Sequence, residues 1–320
     1  MSGSKGSEIT CERLLKSDHP YRDLKSVFDV STVVGQFTGL YSPLGRTGYP
    51  LSQGLSSLVI QFLEDYSDRQ MERALAENVA VKWYCGFGLA DETPDHTYFC
   101  NLRKRLGTKA IGNVFSAVRD AFKARGWVSE VFQFVDATAI ITKNALWKER
   151  DKAIAEGLAG LDNQTVSDYA ADKDARTGCK GKNKFWFGYK RHANVDMGSG
   201  MISNVAVTPA NVPDGKAMRH VLRPGGMVFA DKAYSEGAAK RAMKAKGCHS
   251  GAIKKRNRPD KNRDLDRWLT RTRMPYEGVF SKCQRRARYR GWHKVQMQAF
   301  FEAIAHNLKR AVVIQKLTAT

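Results

Sequence analysis

The sequence predicts an α+β chain, with an all-α domain over residues 1–127 and, over 128–320, a mixed sheet flanked by helices. Three observations carry that prediction. Apolar residues recur at three- and four-residue steps through the first third of the chain and then give way to short β-branched and aromatic runs. Two of these runs, VFQFVDATAII from Val131 and MVFADKAY from Met227, carry a single carboxylate inside or at the end of an apolar strand, Asp136 and Asp231. After the second run, helical and strand patterns alternate up to a long C-terminal helix.

In the front domain, breakers at Pro43, Gly45, Gly48 and Pro50 precede a helix marked by Leu51, Leu55, Leu58, Val59, Phe62, Leu63 and Tyr66. Ser67 or Asp68 caps the next helix, whose apolar positions are Met71, Leu75 and Val79. The acidic, Pro-containing stretch Asp91–Asp95 enters a helix over Tyr98–Leu106, and Val114–Phe122 gives another. Such a unit on a basic protein carries either a helix-turn-helix or a packing and dimerising bundle.

Beyond Gly126, the Asp136 strand reads as buried on both faces. A polar stretch from Thr142 to Asn183 follows, with a helix over Leu146–Leu158 and an open basic loop over Asp172–Asn183. Phe185–Val195 and Met201–Val207 form a hairpin in which Asp196 is a turn residue. Asp214 caps a short helix running to Val221, and the strand ending on Asp231 comes next. Glu236–Lys246 is a helix, Cys248–Ile253 a strand, and Met297–Leu317 the closing helix. Three leading strands and then alternation is the element order of the ribonuclease-H-like fold. That fold makes the first and fourth strands neighbours and sets Asp136 beside Asp231.

Charge points to the partner. Lys and Arg total 53 against 32 Asp and Glu, a net charge of +21, which favours a polyanion. The excess concentrates between Lys254 and Lys294, interleaved with Trp268, Tyr276, Phe280, Tyr289 and Trp292, a pattern suited to phosphate backbone contact. Lys180, Lys182 and Lys184 add a second basic stretch. No apolar run approaches the length of a membrane span, and the N-terminus has no signal-peptide h-region. The six scattered cysteines form no C-x-x-C pair, which argues against a disulfide framework or zinc site and for reduced thiols inside the cell.

Two strand-borne aspartates suit a pair of ligands for a hard divalent cation. A third acid must come from the basic block, where Asp260, Asp264, Asp266 and Glu277 are the candidates. The first three lie in a hydrophilic, exposed stretch, whereas Glu277 sits beside Tyr276, Val279 and Phe280 on the inward-facing part of a helix.

At these residues the sequence resembles the DDE transposases of bacterial insertion sequences, in the insertion-sequence-five family close to the insertion-sequence-four group. The matching text is VDATAI, FGYKRHANVDMGSGMISNVAVTPANVPDG, FADKAYSE and RTRMPYEGVFSKCQRRAR, with a helical front domain of the family's type. The resemblance implies catalytic, metal-binding roles for Asp136, Asp231 and Glu277, with Mg²⁺ or Mn²⁺ as cofactor. It implies terminal inverted repeats and target DNA as substrates, a homodimer on DNA, and a bacterial cytoplasmic, nucleoid-associated setting. DNA contacts fall to Lys180, Lys182, Lys184, Lys254, Lys255, Arg256, Arg273, Lys282, Arg285 and Arg286. In the family's third block, Y-(2)-R-(3)-E-(6)-K, Arg273 and Glu277 are kept while Thr270 and Gln284 replace the tyrosine and lysine. Pro275 is expected to fix the first turn of a helix and place Glu277 near its N-terminus. Two other functions fit the same residues: a metal-dependent nuclease of this fold, or a DNA-binding protein that has lost catalysis.

Overall fold

The computed structural model describes residues 9–40, 48–142, 170–180, 184–235, 237–255, 258–281 and 284–318. The predicted helix over Leu146–Leu158 lies outside them. The chain forms two compact units, one of Met1–Ala121 with Ile304–Thr320 and one of Phe122–Ala303.

The first unit is helical. It contains α1 (Cys11–Leu14), α2 (Pro20–Val27), a 3₁₀ segment (Val30–Leu40), α3 (Leu51–Leu63), α4 (Asp68–Glu77) and α5 (Val79–Cys85). Most of α6 (His96–Ala124) follows. Its core gathers Leu55, Leu58, Met71 and Leu75, positions marked by helical spacing, together with Ile60 and Phe99. Ser67 caps α4 through a reciprocal box with Gln70, and Asn78 caps α5 by accepting from Ala80 and Val81. Inside α6, Gly107 has φ 66° and ψ 172°, so the element is two helices meeting at a residue only glycine occupies freely. The separation predicted between Leu106 and Val114 falls there.

The second unit is built on a six-stranded mixed sheet. Its strands are β1 (Phe132–Ile141), β2 (Arg176–Lys180), β3 (Lys184–Asp196), β4 (Ile202–Pro209), β5 (Met227–Ala230) and β6 (His249–Ala252). The order is β2-β3-β1-β5-β6, with β4 also on β3. One edge of β3 pairs antiparallel with β1 from Gly188 to Asp196. The other edge is shared end to end, Lys184–Gly188 with β2 and Tyr189–Val195 with β4. At the changeover Gly188 has φ 150°, and a Cβ there would lie 2.1 Å from the Ile140 carbonyl oxygen. β1–β5 and β5–β6 are parallel. With its flanking helices this is the ribonuclease-H-like arrangement.

The helices of the second unit are α7 (Asp214–Ala217), α8 (Ala238–Ala245), α9 (Arg263–Ser281) and the first part of α10 (Trp292–Thr318), whose residues from Ile304 on belong to the first unit. One sheet face buries Val135, Val228 and Ala230 against Met218, Val221, Leu222, Ala239 and Met243.

Four local expectations are corrected. Part of the stretch read as a basic loop, Arg176–Lys180, is strand β2, because β3 is long enough to offer it backbone partners beyond β4. Asp214 is not a cap: Pro213 precedes α7 without a side-chain cap, and the Asp214 carboxylate takes the Lys190 ammonium at 2.8 Å. Asp266, expected to be exposed, is 9% exposed and holds Lys261 and the Lys254 N–H. Pro275 lies inside α9 rather than at its start, so Glu277 is far from the helix N-terminus. A helix tolerates the loss of one N–H when its side chains are anchored elsewhere. Here Trp268 packs 5.9 Å from Phe229, Tyr276 packs 6.4 Å from Phe134, and the Tyr276 hydroxyl donates to the Met197 carbonyl.

Candidate active site

The parallel register of β1 and β5 ends with Val135 opposite Ala230. Asp136 and Asp231 are the next residue on each strand, so two carboxylates leave the middle of the sheet together. Asp231 then turns the chain, accepting the Ala233 N–H at 2.8 Å as cap of a 3₁₀ turn (Lys232–Tyr234). Asp136 accepts the Ala137 N–H at 2.8 Å.

Both acids line a cavity of about 610 Å³ that Glu277, Arg273, Lys190 and Asp214 also line. Glu277, expected on an inward-facing part of its helix, is instead half exposed at the cavity rim, and Arg273 stands 3.4 Å from it, one helical turn away on the same face of α9. After α9 the chain returns to the end of β1. Ile141 donates to the Arg285 carbonyl at 2.7 Å and accepts from Ala287 at 2.8 Å, which sets Arg285 at the cavity wall.

Burial raises the Asp136 carboxyl to about 6, opposed by the Ala137 N–H and the Arg273 guanidinium and reinforced by the charge of Asp231. Two carboxylates crowded in this way gain from a cation between them. The described walls carry four carboxylates, Asp136, Asp214, Asp231 and Glu277, with one thiol, Cys179, and no imidazole; the carboxylates are hard oxygen donors, which suit Mg²⁺ or Mn²⁺ by chemistry. They are not drawn to one point: among the described residues no group of three or more His, Cys, Asp or Glu is placed to hold a metal ion.

Residues 129–308 match the family model described as transposase DDE domain. The chain belongs to the DDE transposase family. Residues 9–105 match a second model, transposase domain (DUF772). Among solved structures, the piggyBac transposase synaptic complex with hairpin DNA aligns over 97% of this chain and 75% of that one, at 9% identity and TM-score 0.42. A likeness of that degree carries no argument about this chain.

The basic residues singled out in the sequence fall into three groups on the DDE domain. Lys180 and Arg273 line the cavity with Arg285, while Arg286 is exposed beside it. Lys255 is exposed, and Lys254 is held by Asp260 at 2.8 Å. Lys182, Arg256 and Lys282 lie outside the described residues, and Lys184 opens β3. At the two substituted positions of the third block, Thr270 donates to the Asp266 carbonyl at 2.7 Å, and the Gln284 carbonyl accepts from the buried Arg191.

Several wall residues had not been singled out for the site, among them Lys190, Asp214 and Tyr234. The Tyr234 ring belongs to the sheet core, while its hydroxyl is buried without a hydrogen-bond partner among the described residues. Burial, with Asp214, Asp136 and Asp231 adding their charges, holds that phenol well above its ordinary range. The only sequence signal for these residues was their place in the blocks FGYKRH, PANVPDG and FADKAY. Among the described residues no helix is long and apolar enough to cross a membrane, and Cys11, Cys85, Cys100, Cys179 and Cys248 are free thiols.

Proposed function

We propose that this protein is the transposase of a bacterial insertion sequence, in the insertion-sequence-five family close to the insertion-sequence-four group. It binds the element's terminal inverted repeats, cuts a strand to free a 3′-OH, and joins that end to target DNA. The observation that carries the reading is the shared register end of β1 and β5, which delivers Asp136 and Asp231 into one cavity with Glu277 and Arg273.

In this reading Asp136, Asp231 and Glu277 hold the divalent cations, and Arg273 grips a phosphate oxygen. A bound divalent cation lowers the pKa of an attacking water or hydroxyl and offsets charge on the phosphate. The chain's own residues align the scissile phosphate so that the attacking oxygen forms a P–O bond as the 3′ oxygen leaves. Transfer repeats that displacement with the freed 3′-OH as nucleophile, so no covalent protein intermediate is required. Lys180, Arg285, Arg286 and the Lys254–Lys255 segment lie along the flanking DNA. The front domain, residues 1–127, serves end binding or dimerisation, and 128–320 serve catalysis in a homodimer that holds both ends. The bacterial cytoplasm and its nucleoid are the setting.

The test is incubation of the purified chain, with Mg²⁺ and then Mn²⁺, with a duplex ending in the inverted repeats that flank its gene and with a plasmid target. Cutting and joining are expected. Cutting without joining marks a nuclease of the same fold. Binding without cutting marks a DNA-binding protein whose catalysis has lapsed.

A further inference from the structure

Between α7 and α8 runs a groove of about 590 Å³, lined by Lys216, Arg219, Ala238, Arg241, Ala242 and Ala245. It lies outside both basic stretches marked in the sequence. A 3₁₀ turn (Met218–His220) continues α7 and carries Arg219, while Ala238, Arg241, Ala242 and Ala245 form one stripe of α8. Another stripe of α8, Ala239 and Met243, is buried with Met218 in the sheet core and ties the two walls together.

Lys216, Arg219 and Arg241 are exposed, and among the described residues none of them meets an acid. Arg219 donates to the neighbouring His220 imidazole at 3.1 Å. Asp214, the nearest acid along α7, is held by Lys190 at 2.8 Å. α8 contains no acid, and Lys240 and Lys244 add two more exposed cations. Elsewhere an exposed cation such as Lys123 meets an acid, Glu130, at 2.7 Å. Like charges gathered on a concave wall raise the local potential and draw a polyanion. The floor is alanine, so the groove offers none of the amide or carboxylate groups that read base edges. A wall of cations over alanine suits phosphates whatever the sequence.

Its place in the fold relates it to the catalytic cavity. Phe134 and Phe229, which meet Tyr276 and Trp268 of α9, alternate along their strands with Val135 and Ala230, which pack with the core residues of α8. Side chains alternate across a strand, so α9 and the groove lie on opposite faces of the sheet. The groove begins at Lys216, two residues past Asp214 on the wall of the catalytic cavity.

We propose that the groove between α7 and α8 seats the phosphate backbone of target DNA, with Lys216, Arg219 and Arg241 each facing a phosphate. The inference rests on the transposase reading, in which an element end and a target duplex must reach one cavity. Arg273 and Arg285, the cations nearest the acids, belong to α9 and the segment after it. The groove offers the other sheet face to a second duplex. A contact blind to sequence fits a target better than inverted repeats, which must be recognised by sequence.

The experiment compares full-length wild type with the combined variant Lys216→Gln, Arg219→Gln, Arg241→Gln. All three side chains are exposed, so the variant is expected to melt close to wild type. Should it melt well below, Arg241→Gln alone takes its place, with about one third of the slope change expected. In the first arm, anisotropy reads binding of a repeat-free duplex across a salt series. The slope of log affinity against log salt should be smaller by about 3 in the combined variant. An unchanged slope overturns the groove as a DNA seat. Loss of binding to phosphatidylserine vesicles with that slope unchanged marks a membrane surface instead. In the second arm, with Mg²⁺ or Mn²⁺, the variant should cut a repeat-bearing duplex at the wild-type rate. Its joining to plasmid should fall at least about tenfold. Joining at the wild-type rate overturns the proposal. A matching loss of end cutting also overturns it, by putting the element end in the groove. The first arm needs no catalysis. If wild type neither cuts nor joins, the transposase reading fails, while the slope still decides whether the groove takes duplex.

Discussion

Asp136 and Asp231 stand side by side because each is the residue after the last paired rung, Val135 with Ala230, of two parallel strands. Their side chains differ in local duty. Asp231 caps a 3₁₀ turn, so Ala at this position removes a cap worth about 1 kcal/mol as well as a carboxylate. Asp231→Asn keeps an acceptor oxygen for the Ala233 N–H. Both variants are expected to lose DNA cleavage by orders of magnitude while binding duplex as well as wild type. Only Asp231→Ala should melt lower. Nicking at the parental rate by a folded Asp231→Asn variant would remove this residue from the site.

Glu277→Gln separates catalysis from stability in a different way. Its partner Arg273 lies one turn away at 3.4 Å on the cavity wall, and Glu277 is half exposed, so solvent screens the pair. Such a pair contributes about 0.5 kcal/mol or less. Urea midpoints should therefore match wild type while cleavage collapses. A large stability loss with cleavage intact would make Glu277 a structural residue of α9.

Arg285→Ala combined with Arg286→Ala should weaken duplex binding without touching the acids. Only backbone groups of this segment bond to Ile141, so the β1 contact survives the double substitution. Two lost phosphate contacts predict a salt-dependence slope smaller by about 2. Filter binding across a salt series reads it directly, and an unchanged slope places the DNA elsewhere.

His192 gives a pH signature of the sheet. It is fully buried in β3, its Nε2 2.9 Å from Thr208 Oγ1, and burial lowers its pKa from 6.5 to about 4. The unfolded chain takes up a proton here that the native ring refuses. This contribution is complete above the ordinary value and is lost as pH falls toward 4. Between about pH 7 and pH 5 the loss is about 2 kcal/mol. Urea unfolding of wild type and His192→Gln at those two pH values should show the wild-type advantage shrinking by that amount. A constant difference would mean that the native ring takes up its proton as readily as the unfolded one.

Much of the fold is written locally. Helical spacing marks α3 and α4, Ser67 with Gln70 announces the box that starts α4, and Gly107 breaks α6 where the pattern lapses. The hairpin of β3 and β4 and the apolar strands β1 and β5 follow from short-range residue choice and turn chemistry. These features depend on residues within a turn or a strand of one another, which is the range over which side chains bias φ and ψ. Tertiary structure decided the rest. β2 exists because β3 has a free edge to offer it, and Asp214 leaves its expected cap for Lys190, 24 positions away in the chain. Glu277 shares a face with Arg273 because aromatic anchors on the sheet carry α9 straight through Pro275. Sequence placed an aspartate in or at the end of each of two strands; only long-range pairing, which fixes neighbours and register together, could set those aspartates side by side just beyond one rung.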